Sequence, residues 1–273
     1  MKIVPMPAEP TFNVLLYGGS KTGKTTAACS SPEDVLLVNA DVPNASRFAR
    51  LRYPETWEIE IEGFVTLVEI AAGLKDGSLK AKTIVIDTVA ELHRRLLEEQ
   101  SNRAVRPSLP IYGDVSVHIE RFCRSLCTTH GVNVVLVCHD QAVKDDASGE
   151  FVRKPYTGTS NPALGNKLLS MVDIIAYTGV VEEQDSVRFV GQLLAGKGRE
   201  GGVRGVPVGV LGKVRDLNLS EWFATIRAAE QAAADLKATS EAKSEVRAQA
   251  KQAAAALKAK EAKSTATTRK TAA

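Results

Sequence analysis

Ten residues near the start, YGGSKTGKTT (17–26), limit what this chain can fold into more than any other stretch. Gly18, four residues, then Gly23-Lys24-Thr25 satisfy G-x-x-x-x-G-K-[ST], the P-loop pattern. Glycines let the backbone turn tightly, so that successive N–H groups point into one concavity suited to an anion. The run Gly18, Gly19, Ser20, Lys21, Thr22, Gly23, Lys24, Thr25, Thr26 is therefore read as a phosphate cradle. Lys24 reaches the outer phosphates and the Thr25 hydroxyl is placed for Mg²⁺. The pattern needs a strand before it and a helix after it. FNVLLYG (12–18) is an apolar run suited to a buried parallel strand, and KTTAACS can open a helix whose N-terminus adds partial positive charge. These flanks argue against a chance glycine-rich turn.

The remaining body alternates in the same way. DVLLVNA (34–40), KTIVID (82–87), NVVLVCH (133–139), VDIIAYTG (172–179) and VRFVGQLLA (187–195) are Val- and Ile-rich runs. Helical patterns lie between several of them. TVAELHRRLLEEQ follows Asp87. In DVSVHIERFCRSLCTTHG, Asp114 can cap, Val115, Ile119, Phe122, Cys123 and Leu126 form one face, and Gly131 stops the helix. This alternation predicts an α/β fold, a mostly parallel sheet with helices on both faces. TIVID delivers Asp87 to the carboxyl end of a strand, where ligands of open α/β sheets bind. It follows the P-loop by about sixty residues, with one strand predicted between, and is the expected Mg²⁺ partner of Thr25. Asp87 also suits a helix cap, and the two roles are compatible.

Composition bounds the rest. No apolar run approaches a membrane span, and MKIVPMPAEP lacks the apolar centre of a signal peptide. Cys29, Cys123, Cys127 and Cys138 match no zinc-ligand spacing; Cys123 and Cys127 read as small core residues rather than a metal or redox pair. A reduced, cytoplasmic compartment fits. Net charge is +3, but residues 228–273 hold nine Lys or Arg against five Asp or Glu, which leaves the body near neutral. Three parts are expected: a lead-in (1–11), one α/β domain (12–227) and an Ala/Lys-rich tail (228–273). The tail favours helix to about Lys263, yet has too few apolar residues to bury a face, and STATTRKTAA is expected to be disordered. It reads either as a weak basic arm for DNA or a protein partner, or as a solubilising tail.

Five stretches together resemble the RecA-type ATPase core, and most closely the short phage-encoded ATPases of the Sak-type recombination group. They are LLYGGSKTGKTT, TIVIDTVAELH, IYGDVSVHIERFCRSLCTTHGVNVVLVCHD, LLSMVDIIAY and LAGKGREGG, spanning residues 12 to about 205. The resemblance implies a RecA-like P-loop fold, ATP and Mg²⁺ as ligands, hydrolysis, a homo-oligomer (ring or filament) and single-stranded DNA as partner. It implies recombination or annealing in the host cytoplasm. The family's water-activating glutamate corresponds to Asp41, one methylene shorter; Asp41 equally suits a turn before Pro43. His139 falls at the γ-phosphate sensor, or is a satisfied buried histidine. Lys197 and Arg199 match the pair that such ATPases insert into the neighbouring subunit's site, though a flexible glycine turn with two solvated cations has the same sequence. The DNA-contacting segment corresponds to 140–167, with Lys144, Phe151, Arg153, Lys154 and Tyr156, and with Lys167 nearby. Its acids Asp145, Asp146 and Glu150 offset most of that charge, DASGE reads as a hairpin turn, and the whole composition suits a mobile loop. Two other functions stay open: a nucleotide-switched adaptor or loader with slow hydrolysis, and a P-loop small-molecule kinase using 140–167 as a lid.

Overall fold

Strands form where the Val- and Ile-rich runs fall, and the computed structural model orders them into one sheet. It describes residues 10–236 apart from Glu33, Pro43, 102–106, 146–148, Asp185, Lys197 and 206–208. The first half of the chain gives β1 (Asn13–Gly18), α1 (Lys24–Cys29), β2 (Val35–Asn39), α2 (Arg47–Arg52), β3 (Trp57–Glu60), α3 (Phe64–Asp76), β4 (Thr83–Asp87) and α4 (Val89–Gln100). The second half gives α5 (Leu109–Cys127), β5 (Asn133–Lys144), β6 (Phe151–Tyr156), α6 (Ala163–Met171), β7 (Ile174–Glu183), β8 (Ser186–Gln192), β9 (Gly202–Val203) and β10 (Val214–Asp216).

The strand order is β10-β8-β7-β1-β5-β4-β2-β3, with β6 paired to β5 and β9 to β7. From β3 across to β7 the main path is parallel; β8 runs antiparallel to β7 and β10 antiparallel to β8. This is the mostly parallel α/β sheet that the alternation predicts. All side chains of β2 and β4 are buried, as expected of strands covered on both faces. Successive residues alternate between two apolar layers. Leu15 and Tyr17 pack with α3 to α6, whereas Val14 and Leu16 pack with α1 and with Leu219, Trp222, Phe223 and Ile226. The chain forms two compact units, 1–226 and 227–273. In the second, the described residues 227–236 are helical; the rest of the expected tail helix lies outside the described residues.

Four expectations change. β3 has no Val/Ile run and lies half exposed at the sheet edge, so two strands, not one, separate the P-loop from Asp87 along the chain. Helix α5 begins at Leu109, with Ser108 at the cap position and Pro110 in its first turn; Asp114 therefore lies inside the helix and does not cap it. The apolar face named above is buried throughout. The segment 140–167 is not one mobile loop: β5 runs on through His139 to Lys144 and pairs back with β6, and α6 follows. Finally, the run expected over 187–195 ends as a strand at Gln192, and Arg199 lies in a later turn closed by Gly196–Arg199 backbone hydrogen bonds.

Candidate nucleotide site and its neighbours

The register brings the polar ends of the central strands to one edge. Gly18 of β1 is level with His139 of β5, Asp87 of β4 with Val137, and Asn39 of β2 with Asp87. The phosphate loop leaves β1 at Gly18, where φ is +155° and an added Cβ would come 2.5 Å from Thr178 Oγ1 and 2.6 Å from its carbonyl. Only glycine fits there. The loop turns into α1 at Gly23, in the left-handed region, against the ring of Phe189. At Gly19 an added Cβ would meet only Thr22, at 3.9 Å, so the concavity is open to a ligand.

Lys24 is 6 % exposed, and its Nζ donates to the carbonyls of Gly18 (3.0 Å) and Gly19 (2.6 Å). Burial holds its pKa below the usual lysine range, while the charges of Asp87 and Asp140 act the other way. Thr25 Oγ1 donates to Asp87 Oδ2 at 2.7 Å. Asp87 is 3 % exposed; burial pushes its pKa up to about 6, with Asp41 adding to the shift and the Thr25 hydrogen bond and Lys24 opposing it. A hydroxyl and a carboxylate side by side at the mouth of the loop suit a hard divalent cation. These residues fit Mg²⁺, which when bound would neutralise phosphate charge.

Thr25, Asp87, Asp41 and His139 line one cleft of about 1020 Å³ with the loop. Asp41 has its carboxylate Oδ1 taken by the Val42 N–H (2.7 Å), its N–H on Asn39 Oδ1 and its carbonyl on Arg95. It thus holds a turn and lines the cleft at once. His139 is half-buried, and burial followed by the Lys24 charge lowers its pKa, leaving a neutral imidazole. The cleft is also lined by Phe48, Arg52 and Tyr53 in and beside α2 and by Arg188, Phe189, Asp216 and Asn218 in and beside β8 and β10. None of these was singled out in the sequence. Their positions depend on which strands pair and on α2, which has no apolar period to betray it.

Arg199 is not among the cleft-lining residues. Its guanidinium lies 4.6 Å over the Tyr177 ring and donates to Gln192 at 2.7 Å. Lys197 lies outside the described residues. Lys144, Phe151, Arg153, Lys154 and Tyr156 all fall on the β5–β6 hairpin, but not on one face. The pairing Lys144↔Phe151 and Ala142↔Arg153 puts Lys144, Phe151 and Arg153 on one side, and alternation puts Lys154 and Tyr156 on the other. One strand of nucleic acid lying on one face of this hairpin does not contact all five. Phe151 is 67 % exposed, Arg153 is paired with Asp140, Lys154 with Glu200 and Lys167 with Glu120.

A phosphate loop, a Thr–Asp pair at its mouth and a mostly parallel sheet define a P-loop nucleotide-binding protein. The chain belongs to the AAA-domain family, whose sequence model matches residues 11–204. No curated protein matches it. Among solved structures it is similar to the KaiC-like protein PH0186 of Pyrococcus horikoshii OT3, at 16 % identity and TM-score 0.39 over 67 % of this chain and 79 % of that one. It is also similar to the flagellar accessory protein FlaH of Methanocaldococcus jannaschii, at 10 % identity and TM-score 0.39 over 68 % and 79 %. Among the described residues, no helix is long and apolar enough to cross a membrane.

Proposed function

We propose that this chain is an Mg²⁺-dependent ATPase that works as a homo-oligomer on single-stranded DNA, in recombination or annealing. Lys24 and the loop amides bind the phosphates, and Thr25 with Asp87 holds the cation. Asp41 orients water through its second carboxylate oxygen, and neutral His139 senses the γ-phosphate. Arg199, with Lys197, serves the neighbouring subunit's site, where positive charge stabilises the charge developing in transfer. The observation that carries this reading is the continuity of β5. The strand that brings His139 to the cleft runs on to Lys144, so contacts on the hairpin reach the phosphate site through one element. Exposed Phe151, flanked by Lys144 and Arg153, offers a base-stacking surface with phosphate partners.

The test is ATP turnover with and without a single-stranded oligonucleotide, over a range of protein concentrations, for wild type and Arg199→Ala. Turnover that rises with DNA and with concentration, and falls by about 10³-fold in the variant, supports the reading. A rate indifferent to all three removes it. A second reading, a nucleotide-switched loader with slow hydrolysis, is favoured by the Asp41 carboxylate being shared with the Val42 N–H. It predicts tight ATP binding with negligible turnover under every condition.

A further inference from the structure

We propose that the Tyr177–Thr178 step of β7 links a subunit's own phosphate loop to the arginine it presents to its neighbour; this rests on the trans role of Arg199 above. Adjacent strand residues face opposite sides of the sheet, so this dipeptide touches two different things. On one side is Thr178, fully buried against the loop. Its Oγ1 is 2.6 Å from Thr22 Oγ1 and donates to the Tyr17 carbonyl, and its Oγ1 and carbonyl together forbid a Cβ at Gly18. On the other side is Tyr177, whose ring carries the Arg199 guanidinium and whose hydroxyl donates to Asp140 Oδ2 at 3.4 Å. Gln192, the cross-strand partner of Tyr177, fixes the same guanidinium from β8.

A second contact reinforces the first. Tyr17 immediately precedes Gly18, is fully buried and packs edge-on against Tyr177 with centroids 5.2 Å apart. Its hydroxyl donates to the Glu200 carbonyl at 2.6 Å, one residue beyond Arg199. The arginine segment is thus held at Arg199 itself and at the residue after it by groups adjoining the phosphate loop. Lys24 caps the carbonyls of Gly18 and Gly19. Phosphate draws the ammonium away from them. The resulting adjustment of Gly18 and Thr22 bears directly on Thr178 and Tyr17, and through them on the Arg199 platform. Tyr177, Gln192 and Thr178 are positioning residues in this scheme; none touches the reacting atoms of its own subunit's site.

The experiment mixes two chains, Lys24→Ala (no working loop, Arg199 intact) and Arg199→Ala (loop intact). The mixture should turn over ATP where neither chain does alone. Tyr177→Leu added to the Lys24→Ala chain should lower kcat of the mixture about 5- to 10-fold at unchanged KM, the range of a lost cation–ring contact. Tyr177→Phe in that position should restore the rate, because it keeps the ring. The same Tyr177→Leu in the Arg199→Ala chain should cost less, since that chain presents no arginine. Gln192→Ala serves as the second variant if Tyr177→Leu does not fold. In the otherwise wild-type oligomer, Thr178→Val should move the Hill coefficient for ATP towards 1. Equal losses from either chain, or an unchanged Hill coefficient, overturn the link. A mixture no more active than its parents overturns the trans role itself.

Discussion

Asp87 is under two opposed demands. Burial makes its charge costly, which is why its pKa is pushed up to about 6, yet the charge is what a cation bridging to phosphate needs. For an acid whose folded pKa lies above its unfolded value, stability is lost as pH rises through that range, so the loss is complete at pH 7. Asp87→Asn keeps an acceptor for Thr25 and removes the charge. It should therefore leave metal-free protein as stable as wild type or more so, by up to about 3 kcal/mol at pH 7, seen in a denaturant midpoint. The same variant should lower Mg²⁺-ATP turnover by at least about 100-fold. Destabilisation of the apoprotein instead would show that the charged hydrogen bond from Thr25 outweighs the cost of burying the carboxylate. Lys24, Thr25 and Asp87 were legible in the sequence because short-range motif spacing and a run of buried residues fix them. Thr178 and Phe189, which shape the same loop, were not. Their contact with Gly18 and Gly23 follows from β7 lying beside β1 and β8 beside β7, a pairing no local pattern encodes.

The elements most easily read from sequence were those with a strong period. Strands β1, β2, β4 and the first half of β5 are runs of Val, Ile and Leu, and α5 shows its apolar stripe. The missed ones are short or exposed: β3 at the sheet edge, six-residue α2, and the outer half of β5, whose polar residues show no strand period although DASGE reads as the hairpin turn beyond it. Between these lies an element-scale feature that bears on stability. His93 of α4 is fully buried, and its Nε2 hydrogen-bonds Ser116 of α5 at 3.2 Å. Ser116 donates its own proton to the Tyr112 carbonyl, so Nε2 carries the imidazole hydrogen and Nδ1 is left without a partner. Burial lowers the His93 pKa to about 4, partly offset by a hydrogen bond to the Tyr112 backbone. Between the folded value and the unfolded one near 6.5 the unfolded chain binds the extra proton. Stability is therefore fully present above pH 6.5 and lost as pH falls towards 4. Urea midpoints at pH 7 and pH 5 should differ by about 2 kcal/mol from this group alone, and His93→Gln should flatten that difference. An unaltered pH slope in the variant would locate the acid sensitivity elsewhere.

At the scale of the whole molecule, the charge distribution sets how nucleic acid would be held under the proposed function. Residues 1–227 are close to neutral, while the last 46 carry a net +4. On the hairpin face that bears Phe151, the cations are Lys144 and Arg153, and Arg153 is already paired with Asp140. Binding through that face therefore neutralises about one to two phosphates per subunit, and log K should fall against log salt with a slope between about −0.7 and −1.4. Stacking would supply the remainder: Phe151→Ala should cost about 1–3 kcal/mol in affinity and leave the slope unchanged. Lys144→Ala should do the reverse, reducing the slope by about 0.7 with a smaller loss at high salt. The measurement is oligonucleotide anisotropy at several salt concentrations, on the full chain with a non-hydrolysable ATP analogue. A wild-type slope steeper than about −4 would require more cations than the hairpin face holds. It would move the principal contact to the basic tail, in keeping with a loader that reaches its DNA through an arm rather than across the sheet.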